Sequence, residues 1–172
     1  VPASKRNVVL EGRGDATVSW GAYASQTGPT GYPTGTSGSS TVYFGGDGWE
    51  VRSLTFGNTA GRVGQAVAVQ CLGTGLHFYN CRFLGNQDTL YLHGRGNCDG
   101  KEVDGNSVCI FEDCYVEGTT DFIFGSAAAL FVRCEIRSKA DSYITAASTC
   151  MGQPAGFVFL QCRLTADEGV DA

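Results

Sequence analysis

The sequence lacks any apolar run near the roughly 18 residues that a bilayer-spanning helix requires, and its first residues, VPASKR, lack the apolar core of a signal peptide. It also lacks an excess of positive charge, since 12 lysines and arginines stand against 17 acidic residues and give a net charge of −5. We therefore expect a soluble chain from which any export signal is already gone, with no membrane and no nucleic-acid partner. A heavily anionic polymer would be weakly repelled unless its charge were neutralised locally.

Two common kinds of site are missing as well. None of the eight cysteines forms a CxxC pair, so the sequence does not predict structural zinc. There is no GxSxG motif, and the two histidines, His77 and His93, have no evident partners for a serine hydrolase triad. The sequence thus favours neither a structural zinc site nor a serine hydrolase.

Glycine is abundant where proline is scarce, with 25 glycines against 4 prolines, and the apolar residues fall in short clusters without helical stripes. This pattern predicts many tight turns and an all-β fold. The length suits a single domain over residues 1–172. We predict strands at residues 7–12 and 16–21, and a long surface loop in the Gly-, Ser-, Thr- and Pro-rich residues 25–40.

A short pattern recurs along the chain, in which an apolar residue is followed by two variable residues, a cysteine, one variable residue and a second apolar residue. Its copies are FYNCRF at 78–83, FEDCYV at 111–116, FVRCEI at 131–136 and FLQCRL at 159–164, with VRSLTF at 51–56 carrying leucine in the cysteine position. The equivalent positions Leu54, Cys81, Cys114, Cys134 and Cys162 are separated by 27, 33, 20 and 28 residues. Such steps match the coils of a repetitive fold, each of roughly 20 residues or more.

We interpret the repeat as a right-handed, single-stranded parallel β-helix, in which like positions stack about 4.8 Å apart. The four repeat cysteines are then buried stacked thiols rather than disulfides. Cys98 and Cys109 bracket a polar excursion and could form a disulfide, whereas the sequence does not place Cys71 or Cys150. A β-sandwich is the alternative, but it does not require a repeated register.

Aspartates recur in the same register, because Asp88, Asp121 and Asp141 each follow a repeat cysteine by seven residues. An aspartate after a strand most often caps a turn. Asp121, however, is followed by Phe122 and Ile123, where an unpaired carboxylate would be costly without a role or a partner. If the coils stack, Asp88 and Asp121 lie on adjacent rungs and can divide the work of acid and nucleophile.

Two glutamines lie near this predicted pair. Gln87 precedes Asp88, and Gln65 opens QAVAVQ one coil earlier. Amide donors beside carboxylates are what acyl transfer requires to stabilise an oxyanion. Because Gln87 and Asp88 are neighbours, both can face one site only if the chain turns or bulges there.

These motifs resemble those of the pectin methylesterases over most of the chain. The resemblance is carried by QAVAV at 65–69, GNQDTLY at 85–91 and EGTTDFIFG at 117–125, with support from YITA at 143–146 and GFVFLQCRL at 156–164. It implies a secreted enzyme that hydrolyses methyl esters of homogalacturonan, the polymer of pectin, without a metal or cofactor.

The resemblance also implies roles for individual residues. Asp121 would be the nucleophile, and Asp88 the general acid and then the base that activates water. Gln65 and Gln87 would stabilise the oxyanion. Tyr91 and Phe124 would form an aromatic wall for sugar rings, with a purely packing role as the alternative.

Two family motifs are not found in the sequence, namely an early GxYxE strand and a late LGRPW whose arginine orients the nucleophile. We therefore expect the chain to be incomplete at both ends relative to the family. The excursion at 93–109 is longer than the family pattern and would alter substrate access.

Two other functions remain open from the sequence. A pectate-lyase-like enzyme would use Asp88, Asp121 and Asp141 to bind calcium, because oxygen ligands in register suit that ion. A non-catalytic pectin-binding β-helix is the third alternative.

Overall fold

The computed structural model describes residues 2–94, 107–150, 153 and 155–171. Its strands form three sheets in which every neighbouring pair is parallel. The first sheet contains β1 (Val9–Glu11), β4 (Glu50–Arg52), β7 (Leu76–Tyr79), β10 (Val108–Glu112), β13 (Ala128–Val132) and β16 (Phe157–Leu160). The second contains β2 (Thr17–Trp20), β5 (Thr55–Asn58), β8 (Arg82–Leu84), β11 (Tyr115–Gly118), β14 (Glu135–Ser138) and β17 (Arg163–Ala166). The third contains β3 (Val42–Phe44), β6 (Val69–Cys71), β9 (Leu90–Leu92), β12 (Ile123–Gly125) and β15 (Thr145–Ala147).

Successive strands along the chain enter the three sheets in turn, so each coil contributes one strand to each sheet. This arrangement is a parallel β-helix, as the repeat predicts, and the β-sandwich alternative is wrong. The early strands β1 and β2 confirm the predictions at 7–12 and 16–21. The loop at 25–40 is confirmed for most of its length, although it contains one helical turn, α1 (Gly35–Gly38).

The interior is filled by columns of like residues. Phe78, Phe111, Phe131 and Phe159 occupy equivalent positions of the first sheet, and successive rings stack with centroids 4.6–4.9 Å apart. The second apolar position of the repeat forms a parallel column through Phe83, Val116 and Ile136. Because stacked aromatic rings exclude water and bury large apolar surfaces, these columns fix the register of the coils.

A sharp corner joins the first sheet to the second in each coil. The residue immediately before the repeat cysteine or leucine adopts the left-handed conformation, with φ between 50° and 54° at Ser53, Asn80, Asp113, Arg133 and Gln161. Left-handed backbone costs an L-residue energy, and asparagine and aspartate tolerate it best. The corner turns the chain so that the next side chain, the repeat cysteine, points inward.

The repeat cysteines are stacked free thiols, as predicted. Cys81, Cys114 and Cys134 are buried and Cys162 is half-buried. Their Sγ atoms lie 3.3–3.6 Å from backbone carbonyl oxygens, and the N–H of Cys81 donates to Sγ of Cys114. Burial raises the pKa of Cys114, whereas hydrogen bonds with Cys114 lower the pKa of Cys81 and Cys134.

The disulfide expected between Cys98 and Cys109 is wrong. Cys109 is a free, fully buried thiol in β10, where it points into the core beside Cys71. Cys150 is disulfide-bonded, and Cys98 lies outside the described residues.

Among the residues that the structure describes, no helix has the length and apolar character to cross a membrane.

Candidate active site

The outer surface of the third sheet carries two stacked aromatic rings. Leu90 and Leu92 point into the core and are fully buried, so Tyr91 between them points outward. Tyr91 pairs with Phe124 in β12, and their rings stack with centroids 4.3 Å apart and planes inclined by 13°. His93 contacts the edge of Tyr91 at a centroid distance of 5.1 Å. The two predicted wall residues are thus adjacent on one surface.

Asp88 and Asp121 lie just before these strands, at equivalent positions of neighbouring coils. Leu90 pairs with Ile123, so Asp88 and Asp121, each two positions earlier, lie at the same position of adjacent coils. Neighbouring strands of a sheet are about 4.8 Å apart. The Asp88 N–H donates to the carbonyl of Thr120 at 3.2 Å, and the Asp121 N–H donates to that of Tyr143 at 2.7 Å. The stacked pair of carboxylates is therefore confirmed as a geometric prediction.

Both aspartates have left-handed backbones, with φ of 68° at Asp88 and 48° at Asp121. Such conformations are uncommon outside glycine and frequently mark functional sites. They end the turn that precedes each strand. Gln87 and Asp88 therefore belong to a turn and not to a regular strand, which is the condition for both side chains to face one site.

The electrostatic environments of the two carboxyl groups differ. Asp88 is only 6% exposed, whereas Asp121 is half-buried. Burial, together with the negative charge of Asp121, raises the pKa of Asp88 to about 7. Burial and the nearby Asp88 carboxylate also raise the pKa of Tyr91. Asp88 is consequently a carboxylic acid that can hold a proton near neutral pH.

The two predicted glutamines differ in how far they are buried. Gln87 is half-buried, and its carbonyl accepts a hydrogen bond from the Ala66 N–H at 3.1 Å. Gln65 lies on the preceding coil with an exposed side chain, and its carbonyl accepts the Ala24 N–H at 2.9 Å. The backbone of Gln87 is thus held beside Asp88, while Gln65 is an exposed residue of the preceding coil.

The prediction that Asp141 shares the register of the other aspartates is wrong. Ile123 pairs with Thr145, so the residue stacked on Asp121 is Tyr143. Six residues separate β14 from β15, compared with four between β11 and β12, and this longer turn displaces Asp141 to an exposed position. Within the described part of the chain, no cluster of three histidine, cysteine, aspartate or glutamate side chains could hold a metal ion. The calcium alternative loses the ligand set on which it depended.

Comparison with known proteins decides the family. The family model described as Pectinesterase matches residues 1–172. The chain belongs to the pectinesterase family. It is 43% identical over 134 residues to Pectinesterase 31 of Arabidopsis thaliana, which covers 77% of this chain and 38% of that protein. Pectinesterase QRT1 of the same plant is 34% identical over 177 residues, or 96% of this chain and 43% of that protein.

Solved pectinesterase-family structures share the fold. A pectin methylesterase in complex with hexasaccharide VII has a TM-score of 0.83 at 28% identity, covering 94% of this chain and 52% of that one. The pectin methylesterase from Yersinia enterocolitica has a TM-score of 0.79 at 29% identity, covering 97% and 61%. The chain thus spans less than half the length of the two curated relatives and a little over half that of these two structures.

Three charged residues that the sequence does not single out connect the turn before Asp88 with neighbouring coils. Lys139 Nζ donates to the carbonyl of Gly85 at 2.6 Å and to Glu117 Oε1 at 2.9 Å. Arg62 Nη2 donates to the carbonyl of Lys139 at 2.8 Å. These contacts join residues 22 to 77 positions apart, so they could be recognised only once the register of the coils was known.

Proposed function

We propose that this protein is a pectin methylesterase, which hydrolyses the C6 methyl esters of homogalacturonan to free carboxylates and methanol. The observation that carries the proposal is the stacked pair of Asp88 and Asp121, of which Asp88 has its pKa raised to about 7. Family membership supports the same reaction class. A carboxyl group that can hold a proton near neutral pH, placed beside a second carboxyl group, suits a reaction that needs an acid and a nucleophile.

In the first step, a carboxylate oxygen of Asp121 attacks the carbonyl carbon of the ester. The carbonyl oxygen becomes an oxyanion, which the side-chain amides of Gln87 and Gln65 stabilise by hydrogen bonds. The intermediate collapses, the bond to the methoxy oxygen breaks, and Asp88 donates its proton so that methanol leaves. An anhydride between the substrate acyl group and Asp121 results.

In the second step, Asp88 is a carboxylate and removes a proton from water. The hydroxide attacks the acyl carbon, the bond to Asp121 breaks, and the product leaves as the carboxylic acid, which then gives up its proton to solvent. Asp88 has regained its proton and Asp121 its charge, so the pair is ready for another cycle. No metal or cofactor enters these steps.

Tyr91 and Phe124 are proposed to hold the sugar rings. Their stacked, outward rings lie three residues beyond Asp88 and Asp121 in the chain, which supports a role at the same cleft. Flat aromatic surfaces pack against the apolar faces of pyranose rings. Export from the cell is part of the proposal and is supported by the disulfide at Cys150, since such bonds persist in oxidising compartments.

The test measures methanol released from highly esterified pectin by the purified chain and by two variants. Asp121→Asn keeps the shape of the side chain but removes the nucleophile, so release should fall by at least about 10³-fold with an unchanged circular dichroism spectrum. Asp141→Asn is the matched control. It should retain near-native release because Asp141 is exposed and does not stack on Asp121.

Near-native turnover by Asp121→Asn would show the assigned mechanism to be wrong. Unsaturated uronate products that vanish with a chelator would indicate a lyase. Binding to esterified pectin without methanol release would indicate the non-catalytic alternative.

A further inference from the structure

Asn58 is a buried polar residue at the end of β5, and the proposed reaction does not use it. Its side chain lies in the interior, with the residue only 6% exposed. Its Nδ2 amide donates to the carbonyl oxygens of Ala22 at 2.9 Å, Val67 at 3.1 Å and Ser39 at 3.2 Å, and its Oδ1 accepts the Ala60 N–H at 3.0 Å. Because each buried bond is costly to lose, such an amide holds its backbone partners at fixed distances.

The four partners of Asn58 belong to two segments of the chain. Two of them lie in the long loop between β2 and β3 (residues 21–41), and two lie in the turn between β5 and β6 (residues 59–68). Because that turn carries Gln65, we call it the Gln65 turn. The Asn58 side chain therefore joins the long loop to the Gln65 turn.

Backbone and hydroxyl hydrogen bonds join the same two segments on either side of Gln65. The Ala24 N–H donates to the carbonyl of Gln65 at 2.9 Å, and the Thr41 N–H donates to that of Val67 at 3.0 Å. The Val67 N–H donates to Oγ of Ser39, a fully buried residue, at 3.1 Å. The backbone around Gln65 is thus packed against the long loop, and Asn58 lies at the centre of this network.

The Gln65 turn is also bonded to the next turn, which carries Gln87. The Ala66 N–H donates to the carbonyl of Gln87 at 3.1 Å, and the Ala68 N–H donates to that of Thr89 at 2.9 Å. Gln65 is exposed, so the place of its amide depends on the backbone of its turn. Since a preorganised donor must lie within about 0.5 Å of its productive position, a shift of this turn would weaken its bond to an oxyanion.

We propose that Asn58 is a positioning residue for the esterase reaction. By joining the long loop to the Gln65 turn, it holds Gln65 where its amide and that of Gln87 can bond to the same oxyanion. This inference rests on the proposed function, since it assigns a role in the same reaction. The oxyanion forms only after the substrate is bound, so the loss of Asn58 should lower kcat and leave KM nearly unchanged.

The experiment measures kcat and KM for methanol release from highly esterified pectin in a double-mutant cycle. Gln65→Ala should lower kcat about 10²-fold, the effect of removing one oxyanion donor. Asn58→Asp keeps the shape of the side chain but loses the amide donors, and it should lower kcat about tenfold with KM within about twofold. In the Gln65→Ala background, Asn58→Asp should change kcat by less than about twofold, because no amide is left to position.

Two further variants make the experiment specific. Asn80→Asp is the matched control, since Asn80 is an exposed corner residue between the first two sheets whose amide donates to Oγ of Ser53 at 3.2 Å. It should leave kcat within about twofold of wild type. Ser39→Ala removes only the hydroxyl that accepts the Val67 N–H, and it should lower kcat about threefold, again only while Gln65 is present. It carries the test should the circular dichroism spectrum of Asn58→Asp show an unfolded chain.

The outcomes separate the positioning role from the esterase function. A kcat loss in Asn58→Asp and Ser39→Ala that disappears in the Gln65→Ala background supports the role. Wild-type kcat in folded Asn58→Asp, or the same loss with and without Gln65, overturns it. A Gln65→Ala variant with wild-type kcat also overturns it, while the esterase function stands. Absence of methanol release by wild type refutes the esterase function, and the positioning role with it.

Discussion

Replacing Asp88 with asparagine should stabilise the folded protein, even though it removes a proposed catalytic group. Folding raises the pKa of Asp88 from its ordinary value of 3.8 to about 7. Above pH 7 the folded state must carry a buried carboxylate beside Asp121, a charge that the unfolded chain exposes to water. Asparagine has nearly the same shape and carries no charge, so it avoids that cost.

The magnitude follows from the difference between the two pKa values. A pKa that is higher by about three in the folded state lowers the free energy of unfolding by at most about 4 kcal/mol, at 1.36 kcal/mol for each pKa unit. The sign is set by the raised pKa, since stability from the protonated group is fully present below the unfolded value and is lost as pH rises through about 7. Asp88→Asn should therefore gain about 2–4 kcal/mol at pH 8 and less than about 1 kcal/mol at pH 4.

Urea denaturation followed by circular dichroism at pH 4 and pH 8 measures the effect. Asp141→Asn serves as the control, because its exposed carboxylate should give the same small change at both pH values. Should Asp88→Asn show no larger gain at pH 8 than at pH 4, the buried carboxylate would carry no cost. The assignment of Asp88 as the proton donor would then lose its physical basis.

Three further outcomes are expected. The kcat/KM for methanol release should fall as pH rises through about 7, because Asp88 must be protonated to donate to the leaving group, and a flat profile from pH 6 to pH 9 would contradict this. EDTA should leave methanol release unchanged, as a release that requires added calcium would disprove the metal-free steps. Phe111→Ala should lower the free energy of unfolding by about 3–5 kcal/mol, because it empties the middle of a buried aromatic stack, whereas Tyr79→Ala at a more exposed position should cost far less in the same denaturation assay.

The repeat could be predicted from the sequence because it records a local rule of the fold. Each coil needs an inward apolar residue, a corner and a second inward apolar residue, and Phe111, Asp113 and Val116 satisfy these needs within six positions. Such spacing does not depend on the length of the rest of the coil. The parallel β-helix and the stacked thiols were therefore accessible without coordinates.

The errors arose where coil length matters. Asp141 has the same spacing from its repeat cysteine as Asp121. Two extra residues in the turn before β15, however, place Tyr143 and not Asp141 next to Asp121 in the stack. Cys109 appeared to border a surface loop, yet it is an inward residue of β10 that packs beside Cys71. The number of residues that separates two motifs in the sequence does not show how many of them belong to the turn between two strands.

The contacts of Arg62 and Lys139 lay beyond sequence reasoning for a related reason. Lys139 reaches the carbonyl of Gly85 across 54 positions, and Arg62 reaches the carbonyl of Lys139 across 77. Both acceptors are backbone atoms, so no complementary residue type marks them in the sequence. Only the stacking of turns on successive coils brings donor and acceptor together.

The different roles proposed for two identical side chains follow from their different positions along the β-helix. Asp88 lies on a rung between Val67 and Asp121, because Val69 pairs with Leu90 and Leu90 with Ile123. That enclosed position penalises its charge and raises its pKa to about 7, so Asp88 can hold a proton near neutral pH. Asp121 lies nearer the surface, under the exposed Tyr143, which suits the role of nucleophile proposed for it. The order of coils, rather than any difference in side-chain chemistry, separates acid from nucleophile.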